Sequence, residues 1–177
     1  MSSDQDQCPF APGTIRFGHT KGVGEERDGQ KTGPWTYWYD NGQKASQGQY
    51  EAGKKTGHWI DWYYDGPKGG ECTYIDDKEH GWCVAWHRSG VKASEGEKIE
   101  GQQHGIWIYW GENGRPACLA TLKHGTAHGR WIYWHCHSEN GIDGEVFQIK
   151  DYEEGKLIRL AEYRHGTLVE LDPAVDD

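Results

Sequence analysis

Tryptophan recurs at positions 38, 62, 86, 110 and 134, and glycine at 33, 57, 81, 105 and 129, so two residue types keep one 24-residue interval. A chain folded around a single core has no reason to space its largest side chain evenly. A stack of identical supersecondary units does, because each unit buries its face on the next. The chain therefore reads as a tandem array, and the unit decides the fold.

The second unit shows the pattern: Gly53-Lys54-Lys55-Thr56-Gly57, then His58-Trp59-Ile60-Asp61-Trp62-Tyr63-Tyr64. The second run is too short and too aromatic for a helix and is bounded by turn residues, which predicts a strand. Asp40-Asn41-Gly42, Asp65-Gly66, Ser89-Gly90 and Glu112-Asn113-Gly114 follow the strands of units one to four. Asn-Gly and Asp-Gly supply the positive φ of tight hairpin turns. The next run, Lys44 to Tyr50 in unit one, should return antiparallel, and Gly-x-x-x-Gly should turn the chain into the next hairpin. The expected fold class is all-β: an elongated, twisted antiparallel sheet of tandem 24-residue β-hairpins, about 50 to 60 Å long at ~4.8 Å per strand.

Three segments are expected. Residues 1–27 form an N-terminal tail and half-repeat cap. Residues 28–155 hold five hairpin repeats, the last lengthened by an insertion near 135–144. Residues 156–177 form a capping hairpin around Arg164-His165-Gly166 and an acidic tail.

Leu, Ile, Val and Phe together number 25 of 177 residues, a composition that by itself suggests disorder. The array answers this with 10 Trp and 10 Tyr, each able to bury roughly 150 to 250 Å². The core is expected to be aromatic.

The net charge of −9 excludes a nonspecific nucleic-acid binder, which needs clustered Lys and Arg, and favours a basic partner. Met1 to Gln7 is polar without an apolar segment, and nowhere do 18 apolar residues run together, so neither secretion nor a membrane span is expected. The five cysteines, Cys8, Cys72, Cys83, Cys118 and Cys136, are an odd number without a C-x-x-C pair and read as reduced thiols in a cytoplasmic protein.

Alternation sorts the first strands into two faces. One carries Trp38, Trp62, Trp86, Trp110 and Trp134 beside Thr36, Ile60, Val84, Ile108 and Ile132, and scarcely varies. The other carries Trp35, Trp59, Cys83, Trp107 and Trp131 beside Tyr37, Asp61, Ala85, Tyr109 and Tyr133. A position every unit needs for stacking stays fixed, whereas one that meets a particular ligand drifts. The invariant face is thus assigned to scaffolding. Trp35, Tyr37, Trp59, Asp61, Trp107, Tyr109, Trp131 and Tyr133 are assigned to partner binding, with packing of this second face as the competing reading. Small residues at Gly48, Cys72, Gly96 and Ala120 are expected to leave room for a cross-strand indole.

Catalytic and metal chemistry find little support. No phosphate loop, nucleophile elbow or paired carboxylate stands out. His80, His104 and His128 share one register about 10 Å apart, too far for one metal, and alternation turns Cys136 away from His135 and His137. Neither a metal nor a cofactor is expected, and the chain is not expected to be an enzyme. Lys44, Lys68 and Lys92, with Lys31, Lys54, Lys55 and Lys78, could line a phosphate-binding edge or keep the sheet from aggregating.

The unit G-x-W-x-x-W-Y/H-x-x-G, followed by a short polar strand and G-K-K-x-G, resembles the MORN repeat in the variant found in bacterial YwqK-type antitoxin proteins. The resemblance covers residues 28–155. Its Gly-x-Trp is matched by Gly33-Pro34-Trp35, Gly57-His58-Trp59, Gly105-Ile106-Trp107 and Gly129-Arg130-Trp131, while unit three departs with Gly81-Trp82-Cys83. The resemblance implies a hairpin array used as a binding surface, in this variant an antitoxin that neutralises a toxin by direct contact. The expectation is a non-enzymatic protein-binding scaffold of antitoxin or immunity type with a basic protein partner. The alternative is lipid-headgroup or carbohydrate binding through the aromatic face and the lysine-bearing turns.

Overall fold

A computed structural model describes residues 21–134, 146–164 and 167–171. They form one open antiparallel sheet of 14 strands, as the repeat predicts. In chain order the strands are β1 (Lys21–Arg27), β2 (Gln30–Trp38), β3 (Lys44–Glu51), β4 (Lys54–Trp62), β5 (Lys68–Ile75), β6 (Lys78–Trp86) and β7 (Lys92–Ile99). There follow β8 (Gln102–Trp110), β9 (Pro116–Lys123), β10 (Thr126–Ala127), β11 (Gly129–Trp134), β12 (Val146–Glu153), β13 (Lys156–Arg164) and β14 (Thr167–Leu171). Each pairs with its sequence neighbour, except that β11 continues from the short β10 and both pair β9. The insertion near 135–144, the tail 172–177, and Cys8, His135, Cys136 and His137 lie outside the described residues.

Two kinds of turn alternate. Within a unit the chain reverses over three residues such as Asp40-Asn41-Gly42, where Tyr39 N–H donates to Gln43 O at 2.9 Å and Gly42 N–H to Tyr39 O at 3.1 Å. Only the glycine, with φ 82°, takes the left-handed conformation; Asn41 instead accepts from Gln43 N–H. Between units the turn has two residues, both at positive φ, as in Ala52-Gly53 (48° and 81°). The Gly-x-x-x-Gly segment is therefore not itself the turn. Its first glycine completes the turn and its second, Gly57 at φ 65°, lies inside β4.

That second glycine makes a bulge. Gln47 pairs Ile60 and Gln49 pairs Thr56, so Gly57, His58 and Trp59 together stand opposite Gly48. The bulge brings the indole of Trp59 over Gly48, where a Cβ would overlap the ring. Trp107 covers Gly96 and Trp35 covers Gly24 in the same way. The anticipated room for a cross-strand indole is real at Gly48 and Gly96 but not at Cys72, which is bonded to Cys83, and a single-layer sheet acquires a core by laying its tryptophans on its own backbone.

The indole N–H groups register each ring. Trp35, Trp59, Trp107 and Trp131 donate from Nε1 to the carbonyls of Glu25, Gln49, Glu97 and Thr121, each ten residues earlier, at 2.9 to 3.2 Å. A second clamp joins units: Tyr39 and Tyr63 hydroxyls donate to the carbonyls of Trp62 and Trp86, both at 2.7 Å, and His87 Nε2 donates to that of Trp110 at 2.8 Å.

Burial reverses the assignment of the two faces. Trp35, Tyr37, Trp59, Trp107, Tyr109, Trp131 and Tyr133, taken from the sequence as partner-binding, are core residues, and Trp59 is 0% exposed. The ladder Trp38, Trp62, Trp86, Trp110 and Trp134, taken as scaffold, lies half-buried on the opposite face. The competing reading, a packed second face, is the correct one for those seven residues. Invariance showed that a position recurs in every unit; it did not show which side of the sheet is covered.

The cysteine reading also needs correction. Cys72 and Cys83 are directly paired across β5 and β6 and form a disulfide, so they are not free thiols. Cys118 is buried and takes no part in this disulfide. No helix among the described residues is long and apolar enough to cross a membrane.

Candidate functional site

Three first-strand positions fix the site. The aromatic face carries a complete Trp/Tyr pair in units one, four and five, but Asp61 replaces the tyrosine in unit two, and Cys83 and Ala85 replace both rings in unit three. The core accordingly splits into a cluster around Trp35, Tyr37 and Trp59 and another around Trp107, Tyr109, Trp131 and Tyr133. Half-buried Tyr74 packs against both.

In the gap, the pairs Tyr37–Ser46, Ser46–Asp61, Asp61–Gly70, Gly70–Ala85, Ala85–Ser94 and Ser94–Tyr109 run across seven strands. No large side chain stands on this row between the two tyrosines. At ~4.8 Å per strand the phenol positions are separated by about 29 Å.

Four charged side chains gather at the break. Lys55 Nζ lies 4.1 Å over the ring of Trp59 and 4.9 Å over that of Tyr74, a placement that stabilises an ammonium without an anion. Glu79 is taken by Lys98, with which it forms an ion pair. Asp61 has no ion-pair partner among the described residues and accepts a hydrogen bond from Ser46. Burial pushes the Asp61 carboxyl above its ordinary 3.8, and Glu79 adds to this; Lys55 and Ser46 pull the other way and do not win. Burial likewise raises the Tyr74 phenol, with Glu79 and Asp61 adding to it.

Of the eight residues assigned to partner binding, only Asp61 retains both a charge and partial access. The sequence reading placed Lys55 on a phosphate-binding edge and gave Tyr74, Glu79 and Lys98 no role at the site, because they sit on second strands or next to inter-unit turns, where pattern alone does not place them on a face. One signal was available for the disulfide: Cys72 and Cys83 are 11 apart, the separation of Gly48 from Trp59 and of Gly96 from Trp107. The disulfide stands where Trp35, Trp59 and Trp107 lie on Gly24, Gly48 and Gly96 in units one, two and four.

The opposite face is largely self-occupied in its first half. Lys44, Lys68 and Lys92 lie over Trp62, Trp86 and Trp110 at 5.7, 4.6 and 5.2 Å. Lys68 and Lys92 also pair with Glu71 and Glu95 at 2.6 and 2.8 Å. The ammonium groups and indole faces that a lipid headgroup or a sugar would need thus engage one another. Trp82 and Ile106 protrude from this face, 59% and 56% exposed.

Among the described residues no group of three ligating side chains occurs. His104 instead packs on His124 with ring centroids 4.9 Å apart. No protein-family model matches the chain, and no curated protein matches it.

Proposed function

We propose that the chain is a non-enzymatic, protein-binding repeat scaffold that neutralises a basic protein partner by direct contact, as an antitoxin or immunity protein does. The observation that carries this reading is the break in the aromatic ladder at units two and three. Packing alone favours rings at positions 61, 83 and 85, as units one, four and five have. The chain instead places a half-buried carboxylate there, between two aromatic clusters. Departures from the rule that the rest of a structure obeys are where function is expected.

The net charge of −9 supports a basic partner, because the summed field steers such a protein toward the sheet and raises its association rate. The resemblance to the MORN variant of antitoxin proteins points the same way, as analogy. The compartment we propose is the cytoplasm. A reducing cytoplasm would open the Cys72–Cys83 bond, so both thiols should be modified when cells are quenched with an alkylating agent; an intact bond after quenching points to an oxidising compartment instead.

The immobilised chain should retain one basic protein from host extract in stoichiometric amount, and that protein should lose its activity when the purified pair is mixed. Recovery of no stoichiometric protein, or a partner indifferent to saturating scaffold, overturns the reading.

A further inference from the structure

Units one and four show what unit two lacks. In each, the residue four before the buried tryptophan reaches across to the phenol two residues beyond it. Lys31 Nζ donates to the Tyr37 hydroxyl at 2.7 Å, and Gln103 Nε2 donates to the Tyr109 hydroxyl at 2.8 Å. Lys31 meanwhile lies 4.6 Å over the Trp35 ring. The bridge fixes the phenol over the sheet.

In unit two Lys55 takes the same place over Trp59, but residue 61 is an aspartate. Its side chain is too short to complete the bridge, and the two charges form no ion pair. What remains is a carboxylate where a phenol would begin, with Gly70 and Ala85 as its neighbours along the row. A Cβ placed on Gly70 would meet only the Val84 carbonyl oxygen, at 3.7 Å, so no side chain covers the row beside Asp61 there.

We infer that this vacated phenol position beside Asp61 seats the cationic side chain of a lysine or arginine from a bound polypeptide. The inference rests on the protein-binding reading and names the group that the site recognises. Every other charge in the gap is engaged: Lys55 with the rings of Trp59 and Tyr74, Glu79 with Lys98. Among the described residues Asp61 has a hydrogen bond from Ser46 and no counter-ion. A half-buried carboxylate gains more from an entering cation than an exposed one does, because less solvent screens the pair. The methylene stem of the guest would lie on Gly70 and Ala85, and its charge would meet the carboxylate. A carboxylate guest would meet repulsion.

The probes are acetyl-hexalysine-amide and acetyl-hexaglutamate-amide at low salt, followed by backbone amide shifts. Hexalysine should move the amides of Asp61, Gly70 and Ala85 and lose affinity as salt rises. Asp61→Asn keeps the volume and removes the charge; Asp61→Tyr restores the residue that units one, four and five carry. Both should bind hexalysine at least tenfold more weakly, about 1.4 kcal/mol, while melting as cooperatively as the parent. Equal binding by parent and either variant overturns the seat, as does equal binding of hexaglutamate or hexalysine shifts confined to the Lys68–Glu71 face. The two readings fail separately. A host partner still held by Asp61→Tyr removes the seat and leaves the scaffold; Asp61-dependent hexalysine binding with no host partner removes the scaffold and leaves the seat.

Discussion

The indole of Trp59 covers the α-carbon of Gly48, and its Nε1 donates to the carbonyl of the next residue, Gln49, at 3.2 Å. The contact needs both partners: a ring large enough to shield the sheet, and a residue with no Cβ beneath it. Repeated at Trp35 on Gly24 and Trp107 on Gly96, it gives one layer of sheet a buried face without a second layer.

Gly48→Ala should displace the ring and cost about 1–3 kcal/mol, as overpacking does. Trp59→Ala should cost roughly 3–5 kcal/mol. Urea unfolding measures both, and in the double variant the costs should fall short of additive because the clash disappears with the ring. Strict additivity would mean that the two residues do not share one contact.

The tryptophans of the opposite face should matter less, although they recur more faithfully. Trp62 is half-buried and loses chiefly its stacking with Lys44 on truncation, so Trp62→Ala should be clearly milder than Trp59→Ala. Lys44→Ala alone should cost ~0.5–1 kcal/mol. A Trp62→Ala loss as large as that of Trp59→Ala would restore this face to the core.

Cys72 and Cys83 stand in for a glycine and an indole. Reducing the bond should lower stability by about 2–4 kcal/mol. The double change Cys72→Gly with Cys83→Trp should return most of that loss, since it rebuilds the pair present at Gly48 and Trp59, whereas Cys83→Trp alone should not, because Cys72 retains its Cβ. Thermal melts of the three proteins under reducing and non-reducing conditions decide this.

Asp61 gives a pH signature of known sign. Its folded carboxyl sits above the ordinary 3.8, so the fold favours the protonated form. The ionised form therefore costs stability at neutral pH, and the cost fades as pH falls through the raised value. Asp61→Asn should be the more stable protein at pH 7, with the gap closing in acid as Asp61 takes up its proton beside Lys55, Glu79 and Ser46. A gap that widens in acid would reverse the assignment.

The buried phenols act at the other end of the scale. Burial raises Tyr74, and it raises Tyr50 with help from the hydrogen bond to Tyr37. The folded state thus keeps protons that the unfolded chain gives up above pH 10, and stability should decline from there upward. Tyr74→Phe should soften that decline, as stopped-flow or equilibrium unfolding between pH 9 and pH 11 would show.

What the sequence alone determined was the unit: 24-residue spacing, antiparallel hairpins, the glycines of the three-residue turns, and three interruptions at Asp61, Cys83 and Ala85. These follow from local rules, since period, alternation and turn chemistry all act within a few residues. Which face is the core was decided by the bulge at Gly57 and its equivalents. Alternation says that Trp59 and Trp62 point to opposite sides, but it does not say which side has a glycine floor. That floor is supplied by a residue 11 positions away, across the sheet, and only the register of β3 on β4 brings Gly48 under Trp59. The same long-range register joined Cys72 to Cys83 and set Asp61 beside Gly70 in a row emptied of rings.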